Sequence, residues 1–596
     1  MNSKKETELE QLLTRVQTLL GQSDYLRAFD LTRQGVATHP DHIGLRHAGV
    51  LAMARMGATE RAQALFNDWN LDDIDDDEEV LALWARLLKD RASSTPPAER
   101  KEAWASAAGA YERAFAAQGG YFPAINVASL RYLAGDQESA EVWAKKALEL
   151  ARSEDSYFAQ ATVAEAYVIL AAPDKAASAL LEACAAPGAG VAAKSTTRRQ
   201  LTRLIEDRGY DASILDPLIP PKVAHFCGHR PAAAGQNGRF PQSEIDRVAS
   251  EIRAIVSRER IGYGFGSLAA GADLMIAEAI LDQRGELEVV LPFDRDEFLA
   301  VSVRPNGAEW VDRFEQVLSR ASKVHFVTED AYLGHDELFN YTSHLAIGHA
   351  RLHAQRLGAE LCQVAVWDGQ PPRPQDLAGT AFDIAKGKQI GLQQHIIASR
   401  SEAASPEDVA FEPSTGERQR RVMVFGDLKG FSKLSDQQLP IYVETVLGAC
   451  AEVFDQFDES LMFRNTWGDG LFLVFDDLAA AADCAFTLRE KISALPYAEV
   501  GLPQSLGLRL GLHYGPVFET RDPVLDRMNY FGFHVSRAAR VEPITPEGEV
   551  YVTDAAAAAL AVDCPDAYRC DYVGEVPLAK GYGAFPMYSL IRILPA

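Results

Sequence analysis

Between Arg421 and Asp476 short apolar runs lead up to acidic residues, and no other stretch narrows the fold as much. In RVMVFGDLKGFS, Val422, Met423, Val424 and Phe425 lead into Asp427. In LMFRNTWGDGLFLVFDD, two apolar runs flank a Gly-Asp-Gly turn that holds Asp469. Short apolar runs of this kind predict strands, and Asp-Gly between two of them predicts a tight hairpin. A helix-like segment separates the two motifs. Strand ends and hairpin turns hold a side chain rigidly, so Asp427 and Asp469 are candidates for one shared site. Two neighbouring carboxylates suit a pair of divalent cations and a triphosphate.

Further motifs follow in order: RLGLHYGPV (Arg509 to Val517), NYFGFHVSRAAR (Asn529 to Arg540), GEVYVTDAA and LAKGYG. Together with the two aspartates, this series over residues 418–592 resembles the class III nucleotidyl cyclase catalytic domain, an α+β ferredoxin-like fold. The resemblance implies conversion of a nucleoside triphosphate to a 3′,5′-cyclic nucleotide and pyrophosphate in a homodimer. Asp427 and Asp469 would hold two Mg2+ or Mn2+ ions. The backbone of Lys429, Gly430, Phe431 and Ser432, near a helix start, would cradle phosphates. On the other subunit, the family's transition-state groups map onto Ser536 and Arg540, and its base-reading groups onto Asn465 and Asn529.

The sequence departs from the family pattern at several of these positions. Ser536 stands where the family usually has asparagine, and a hydroxyl donates one hydrogen bond where an amide donates two. Asn465 replaces the lysine of adenylate cyclases or the glutamate of guanylate cyclases. Asn529 replaces their aspartate and their cysteine or threonine, respectively. Because an amide both donates and accepts, the base stays open. ATP is the default, and cytidylate and uridylate cyclisation are alternatives, the latter two in a defence pathway. Tyr582 occupies the place of the family's phosphate lysine, with Lys580 two residues earlier as a substitute. His513 is expected to be structural. A degenerate cyclase fold kept for nucleotide binding and dimerisation is the competing reading.

A chain of 596 residues exceeds one core and predicts about three domains. A net charge of −25 argues against nucleic acid or an anionic membrane as partner. The seven cysteines show no metal-ligand spacing, so free thiols are expected. The start, MNSKKETELEQLL, lacks the apolar core of a signal peptide, and no apolar stretch is long enough to span a bilayer. A cytoplasmic protein is the expectation.

Residues 8–207 are rich in Ala, Leu, Glu and Arg at helical spacing. A small-residue pattern recurs at Ser23/Ala28, Gly57/Ala62, Gly135/Ala140 and Ala172/Ala177. A period near 34 residues (62 − 28) resembles tetratricopeptide-like helix pairs. That predicts a scaffold for a protein partner or for dimerisation, with no chemistry of its own.

In residues 221–398, strand-like runs (VAHFCGH, RIGYGFG, LEVVLPF, KVHFVT, CQVAVWDG) alternate with helical segments. This predicts a mostly parallel, Rossmann-like sheet that binds ligands at its carboxyl edge. Gly266, Ser267, Gly271 and Asp273 open one helix, and Gly379 and Thr380 open another. GSLAAGAD with its flanks resembles the SLOG superfamily, which implies a nucleotide-like ligand, often for sensing. The hydrolase motif PGGxGTxxE is absent, which favours a sensor over a second enzyme. His225, His229, His325, His344 and His349 are read as ordinary core or surface residues, since no ligand set can be assembled from the sequence.

Overall fold

The computed structural model describes every residue except 1, 23, 233–237, 330–331, 333–336, 371–378, 401–417, 505 and 594–596. The chain forms two compact units, the first from Met1–Pro220 with Gln355–Ala359 and the second from Pro221–Ala354 and Glu360–Leu594.

The first unit is helical: α1 (Asn2–Gly21), α2 (Tyr25–Thr38), α3 (Ile43–Arg55), α4 (Thr59–Asp68), α5 (Glu78–Ser94), α6 (Arg100–Gln118), α7 (Tyr121–Ala134), α8 (Gln137–Ala151), α9 (Tyr157–Ile169), α10 (Pro173–Ala185) and α11 (Val191–Arg208). Asp24, Asp77, Asp136 and Ser156 cap α2, α5, α8 and α9 by accepting a bond from an N–H three residues on. Ala28, Ala62 and Ala140 sit at equivalent places in the first turns of α2, α4 and α8, and each is fully buried. A larger side chain there would hold the neighbouring helix away. In the last copy the register moves by one, so Ala176 is buried and Ala177 is not. Ser23 of the first copy lies outside the described residues.

The second unit opens with β1 (Lys222–Gly228), α12 (Ile245–Arg258), β2 (Ile261–Gly266), α13 (Ala272–Asp282), β3 (Glu286–Leu291), α14 (Arg295–Phe298), α15 (Ala308–Arg320), β4 (Lys323–Phe326), α16 (Glu337–Leu357), β5 (Leu361–Trp367), α17 (Thr380–Gln389) and β6 (Gln393–Ala398). The six strands pair in parallel in the order β4-β3-β2-β1-β5-β6. The direction of winding reverses between β1 and β5, the crevice where doubly wound sheets bind ligands. The sixth strand, QQHIIA, is one more than the sequence predicts.

The rest of the unit comprises β7 (Arg418–Lys429), α18 (Gln438–Tyr442), α19 (Gly448–Phe454), β8 (Leu461–Trp467), β9 (Gly470–Phe475), α20 (Leu478–Ser493), β10 (Gly507–Asp522), β11 (Arg527–Phe531), α21 (Phe533–Ala538), β12 (Val550–Thr553), α22 (Asp554–Asp563), β13 (Tyr568–Pro577) and β14 (Ala584–Arg592). A π-turn, Val443–Leu447, joins α18 to α19. The core order β10-β7-β9-β8 is antiparallel throughout, with α18–α19 after the first strand and α20 after the third. That is the ferredoxin-like βαββαβ arrangement expected from the sequence. β12, β14 and β13 extend the sheet beyond β10, and β11 folds back on β10 as a hairpin.

The two sheets of this unit meet along α16 and α22. A Cβ added at Gly348 of α16 would stand 2.2 Å from the Ala558 carbonyl oxygen of α22. Tyr341 donates from its hydroxyl to the Tyr514 carbonyl (2.8 Å), and Lys386 donates to Asp563 (2.7 Å). His344 approaches the other Asp563 oxygen at 3.2 Å, and Arg420 pairs with Glu337. No helix among the described residues is long and apolar enough to cross a membrane.

Candidate functional site

β7 and β9 pair so that Asp427 stands opposite Gly470, and the Leu428 N–H donates to the Asp469 carbonyl at 3.1 Å. The two aspartates are therefore neighbours at one end of the central strand pair, both half-buried. The arrangement follows from local sequence. Apolar Met423 and Val424 bury the strand, and Gly468, at φ +70°, supplies the left-handed turn that presents Asp469.

Arg509 faces Asp427 across the β7–β10 pair and donates to its Oδ2 twice, from Nε (3.1 Å) and Nη2 (2.9 Å). It also lies 2.5 Å from Glu542. Burial pushes the Glu542 carboxyl up to about 7; Asp427 and Asp469 push the same way, and Arg509 opposes them. Three carboxyl groups therefore crowd one place with Arg509 among them. Such an oxygen-rich, negatively charged set fits hard divalent cations of the Mg2+ or Mn2+ kind, with Asp427 and Asp469 as the residues that would hold them. Arg509 and Glu542 escape a reading of the sequence; their opposition to the aspartates exists only once β7 and β10 are paired.

Beyond Asp427 the chain turns at Gly430 (φ +94°) into a three-residue 3-10 turn, Phe431–Lys433. No α-helix starts here, contrary to expectation. The turn's internal bonds use the N–H groups of Lys433 and Leu434, not those of Phe431 and Ser432. The Lys429 ammonium bonds Glu547 at 3.2 Å. Phe431 packs on Tyr442, whose hydroxyl donates to the Gly468 carbonyl at 3.3 Å. The loop is thereby braced from beneath the Asp469 turn.

Asn465 on β8 accepts a bond at its side-chain oxygen from Arg527 of β11 (2.8 Å). Asn529 donates to Asp522 (3.0 Å) and accepts from the Tyr530 N–H (2.9 Å). Both asparagines thus bond within the β8 and β10–β11 region of the same chain. Ser536 is exposed on α21, and Arg540 follows that helix, half-buried. Among the described residues no hydrogen bond or ion pair joins Ser536 or Arg540 to either aspartate. Tyr582 stacks on Phe533, with ring centroids 5.8 Å apart. The Lys580 side chain lies outside the described residues. His513 is fully buried and bonds Thr553 and His534, both at 2.8 Å; burial holds the two imidazoles well below their ordinary pKa, as structural groups.

In the parallel-sheet region, Gly266 and Ser267 follow β2, and Gly271 and Asp273 begin α13. The start of α13 is filled by the chain itself. The Ala272 N–H donates to the His229 carbonyl, and a Cβ at Gly271 would meet Pro231 at 2.6 Å. Gly271 thus permits close backbone packing where the sequence predicts a phosphate. Asp273 is buried; its Oδ2 accepts from the Ala269 N–H, and burial raises its pKa well above the carboxylate range. Gly379 precedes α17, Thr380 approaches His229 at 3.5 Å, and burial lifts Asp383 to about 7. His229 and Arg239 both bond Asp368, at 3.1 and 2.9 Å, at the β1–β5 crevice. Among the described residues the structure also gathers one set of metal-type ligand atoms, from His325, His349 and Asp554, all within 4.8 Å of one another.

Residues 24–131 match the family model described as Tetratricopeptide Repeats-Sensor, and residues 416–592 the model described as Adenylate and Guanylate cyclase catalytic domain. A receptor-type guanylate cyclase of Caenorhabditis elegans, gcy-8, is 28% identical over 184 residues, which cover 28% of this chain and 15% of that protein. The chain therefore spans less than a sixth of that relative's length. Among solved structures, the adenylyl cyclase CyaB from P. aeruginosa aligns at 18% identity and TM-score 0.27, over 30% of this chain and 96% of that one. The guanylate cyclase domain of RhGC from Catenaria anguillulae, in complex with GTP, aligns at 18% identity and TM-score 0.26, over 30% and 100%.

Proposed function

We propose, from the premise that the C-terminal region is a class III adenylate/guanylate cyclase catalytic domain, that this chain cyclises a nucleoside triphosphate and releases pyrophosphate. The observation that carries the reading is the Asp427–Asp469 pair at one strand end, fixed by the β7–β9 register. Divalent cations held there would lower the pKa of the ribose 3′-hydroxyl and neutralise the phosphate tail. Arg509 keeps Asp427 oriented, and the turn at Gly430–Ser432 offers main-chain N–H groups to phosphate oxygens. Arg540 carries a permanently charged, planar guanidinium suited to the pentavalent phosphorus oxygens. Ser536 donates a single hydrogen bond to the same region. Asn465 and Asn529 lie beside the base, with ATP as the first substrate to try.

A homodimer supplies Ser536 and Arg540 to the partner's aspartates. Exposed apolar side chains near these hairpins support that assembly: Met462, Trp467, Val524, Leu525, Met528 and Phe531. The parallel-sheet region, packed on the cyclase domain through α16 and α22, is proposed as the regulatory module, with a nucleotide-like ligand at the β1–β5 crevice. A second reading, nucleotide binding without turnover, is favoured by Ser536 and by the stacking of Tyr582 on Phe533.

The test offers the purified chain ATP, GTP, CTP and UTP in turn, with Mg2+ or Mn2+, and looks for cyclic product by mass spectrometry. Product from at least one triphosphate, abolished in Asp427→Asn, is expected. Binding of a triphosphate with no cyclic product under either metal overturns the catalytic reading in favour of the second.

A further inference from the structure

The helical unit contains a cavity of about 440 Å³ walled by α5, α6, α7, α9 and α11. This is within the range of about 300–1,000 Å³ typical of small-molecule sites. Its lining is cationic. Arg86 and Lys89 come from α5, and Arg199 and Arg203 from α11. Among the described residues two carboxyl groups line it in return, Asp90 and Glu165.

Two acids do not balance four cations. Asp90 stands 3.5 Å from Arg86. Glu165 is buried and bonded by Ser129 and by Gln200 (2.9 Å); burial raises its pKa, and Ser129, Gln200 and Lys89 oppose that. Lys89 is held by the neutral oxygens of Asn126 (2.8 Å) and Gln200 (3.1 Å) rather than by a carboxylate. Burial, opposed by Asp90 and Glu165 and helped by Arg86 and Arg203, pushes its ammonium down to about 8. Burying cations without counter-charges is costly, and folded chains pair them or leave room for an anion.

The rest of the lining is aromatic. Arg203 lies over the Trp104 ring at 5.4 Å, and Lys89 over Tyr111 at 5.8 Å. Tyr111 is fully buried, yet its hydroxyl and the Trp104 indole N–H are buried without a hydrogen-bond partner among the described residues, whereas the Arg86 Nε pairs with Asp90. Both unpartnered groups belong to residues that line the cavity, and the protein itself does not satisfy them. At the rim, Phe122 and Phe158 are 44% and 42% exposed, too open for core packing and available to a flat ring.

We infer that this cavity is a binding site for a nucleoside phosphate, with the base between Phe122 and Phe158 and the phosphate among Lys89, Arg199 and Arg203. An acidic peptide would satisfy the charge alone. It would leave the rim phenyl rings and the unpartnered Tyr111 and Trp104 donors unexplained. The site lies wholly in the helical unit and does not depend on the C-terminal reading.

The experiment is calorimetric titration of the full chain in EDTA, which disables divalent-dependent binding at the C-terminal aspartates. The probes are the mono- and diphosphates of adenosine, guanosine, cytidine and uridine, with inorganic pyrophosphate and a Glu-rich peptide as further arms. At least one nucleoside phosphate is expected to bind once per chain. Lys89→Met and Arg203→Met should each weaken it at least tenfold, and Arg199→Met, at the exposed mouth, should weaken it without risk to folding. Phe122→Ala should weaken the nucleotide but leave pyrophosphate unchanged. The double variant Asp427→Asn/Arg540→Met should bind as the parent does. The inference is overturned if no nucleoside phosphate binds, if binding survives Arg199→Met and Arg203→Met, or if the peptide alone shows this dependence.

Discussion

Gly348→Ala adds one methyl group where α16 crosses α22, and its effect can be worked from distances. The new Cβ would stand 2.2 Å from the Ala558 carbonyl oxygen and 2.5 Å from its carbon. A carbon needs about 3.3 Å from such an oxygen, so the helices must part by about 1 Å. The obstacle is main chain and cannot rotate away, which puts the cost near the upper end of the usual overpacking range, about 3 kcal/mol. Alanine returns about 1 kcal/mol through its better helix propensity. The net loss is about 2 kcal/mol, or about 3 °C in melting temperature for a unit of this size. A multidomain chain need not unfold in one step, so amide hydrogen exchange should accompany the melt. Faster exchange is expected in α16 and α22, where the bonds from Tyr341 to Tyr514 and from Lys386 to Asp563 would stretch. Adding Ala558→Gly should not rescue the variant, because the main-chain oxygen remains. Unchanged exchange in both helices, or rescue by Ala558→Gly, would refute the reasoning.

Glu542, raised to about 7, favours the folded state when protonated, so its contribution is present at low pH and is lost as pH rises toward 7. Glu542→Gln should flatten that fall by about 1 kcal/mol after allowance for solvent screening, read from melts at pH 5 and pH 8. Burial pushes Asp563 up, but His344 and Lys386 outweigh it and hold the group at about 2. Its stabilisation is full above about pH 4 and lost as pH falls toward 2. Asp563→Asn should therefore cost about 2 kcal/mol at pH 7 and progressively less as pH falls through about 2, as denaturant titrations would reveal. Ser536→Asn should raise kcat by up to about tenfold with little change in KM, since the gained hydrogen bond acts on the transition state; an unchanged kcat would remove Ser536 from the proposed site.

Residues whose role depends on neighbours in sequence are legible in the chain alone. Asp427 and Asp469 stand out because an apolar run or a Gly-Asp-Gly turn fixes each one locally. The alternation of strands and helices likewise foretells the parallel sheet. β6 escapes notice because QQHIIA is a half-exposed edge strand with weak apolar alternation. The turn after Gly430 resembles a helix start in sequence because a left-handed glycine suits either outcome. The shift from Ala177 to Ala176 arises because Pro173 begins α10, so Ala172 is its cap and not the counterpart of a turn glycine. Arg509, Glu542 and the cationic cavity are invisible in the sequence for one shared reason. Their members are distant along the chain, as Lys89 and Arg203 are, and only tertiary packing brings their charges together.

β10 is one unbroken extended segment of 16 residues. Arg509, near its start, orients Asp427; Tyr514, midway, receives the hydroxyl of Tyr341; Asp522, at its end, anchors Asn529. An extended backbone scarcely stretches, and inserting one residue sends every later side chain to the opposite face. The strand therefore works as a ruler that sets three spacings at once. A chimera that exchanges domains within this protein has to place its junction outside residues 507–522, and the length of that segment should tolerate neither gain nor loss.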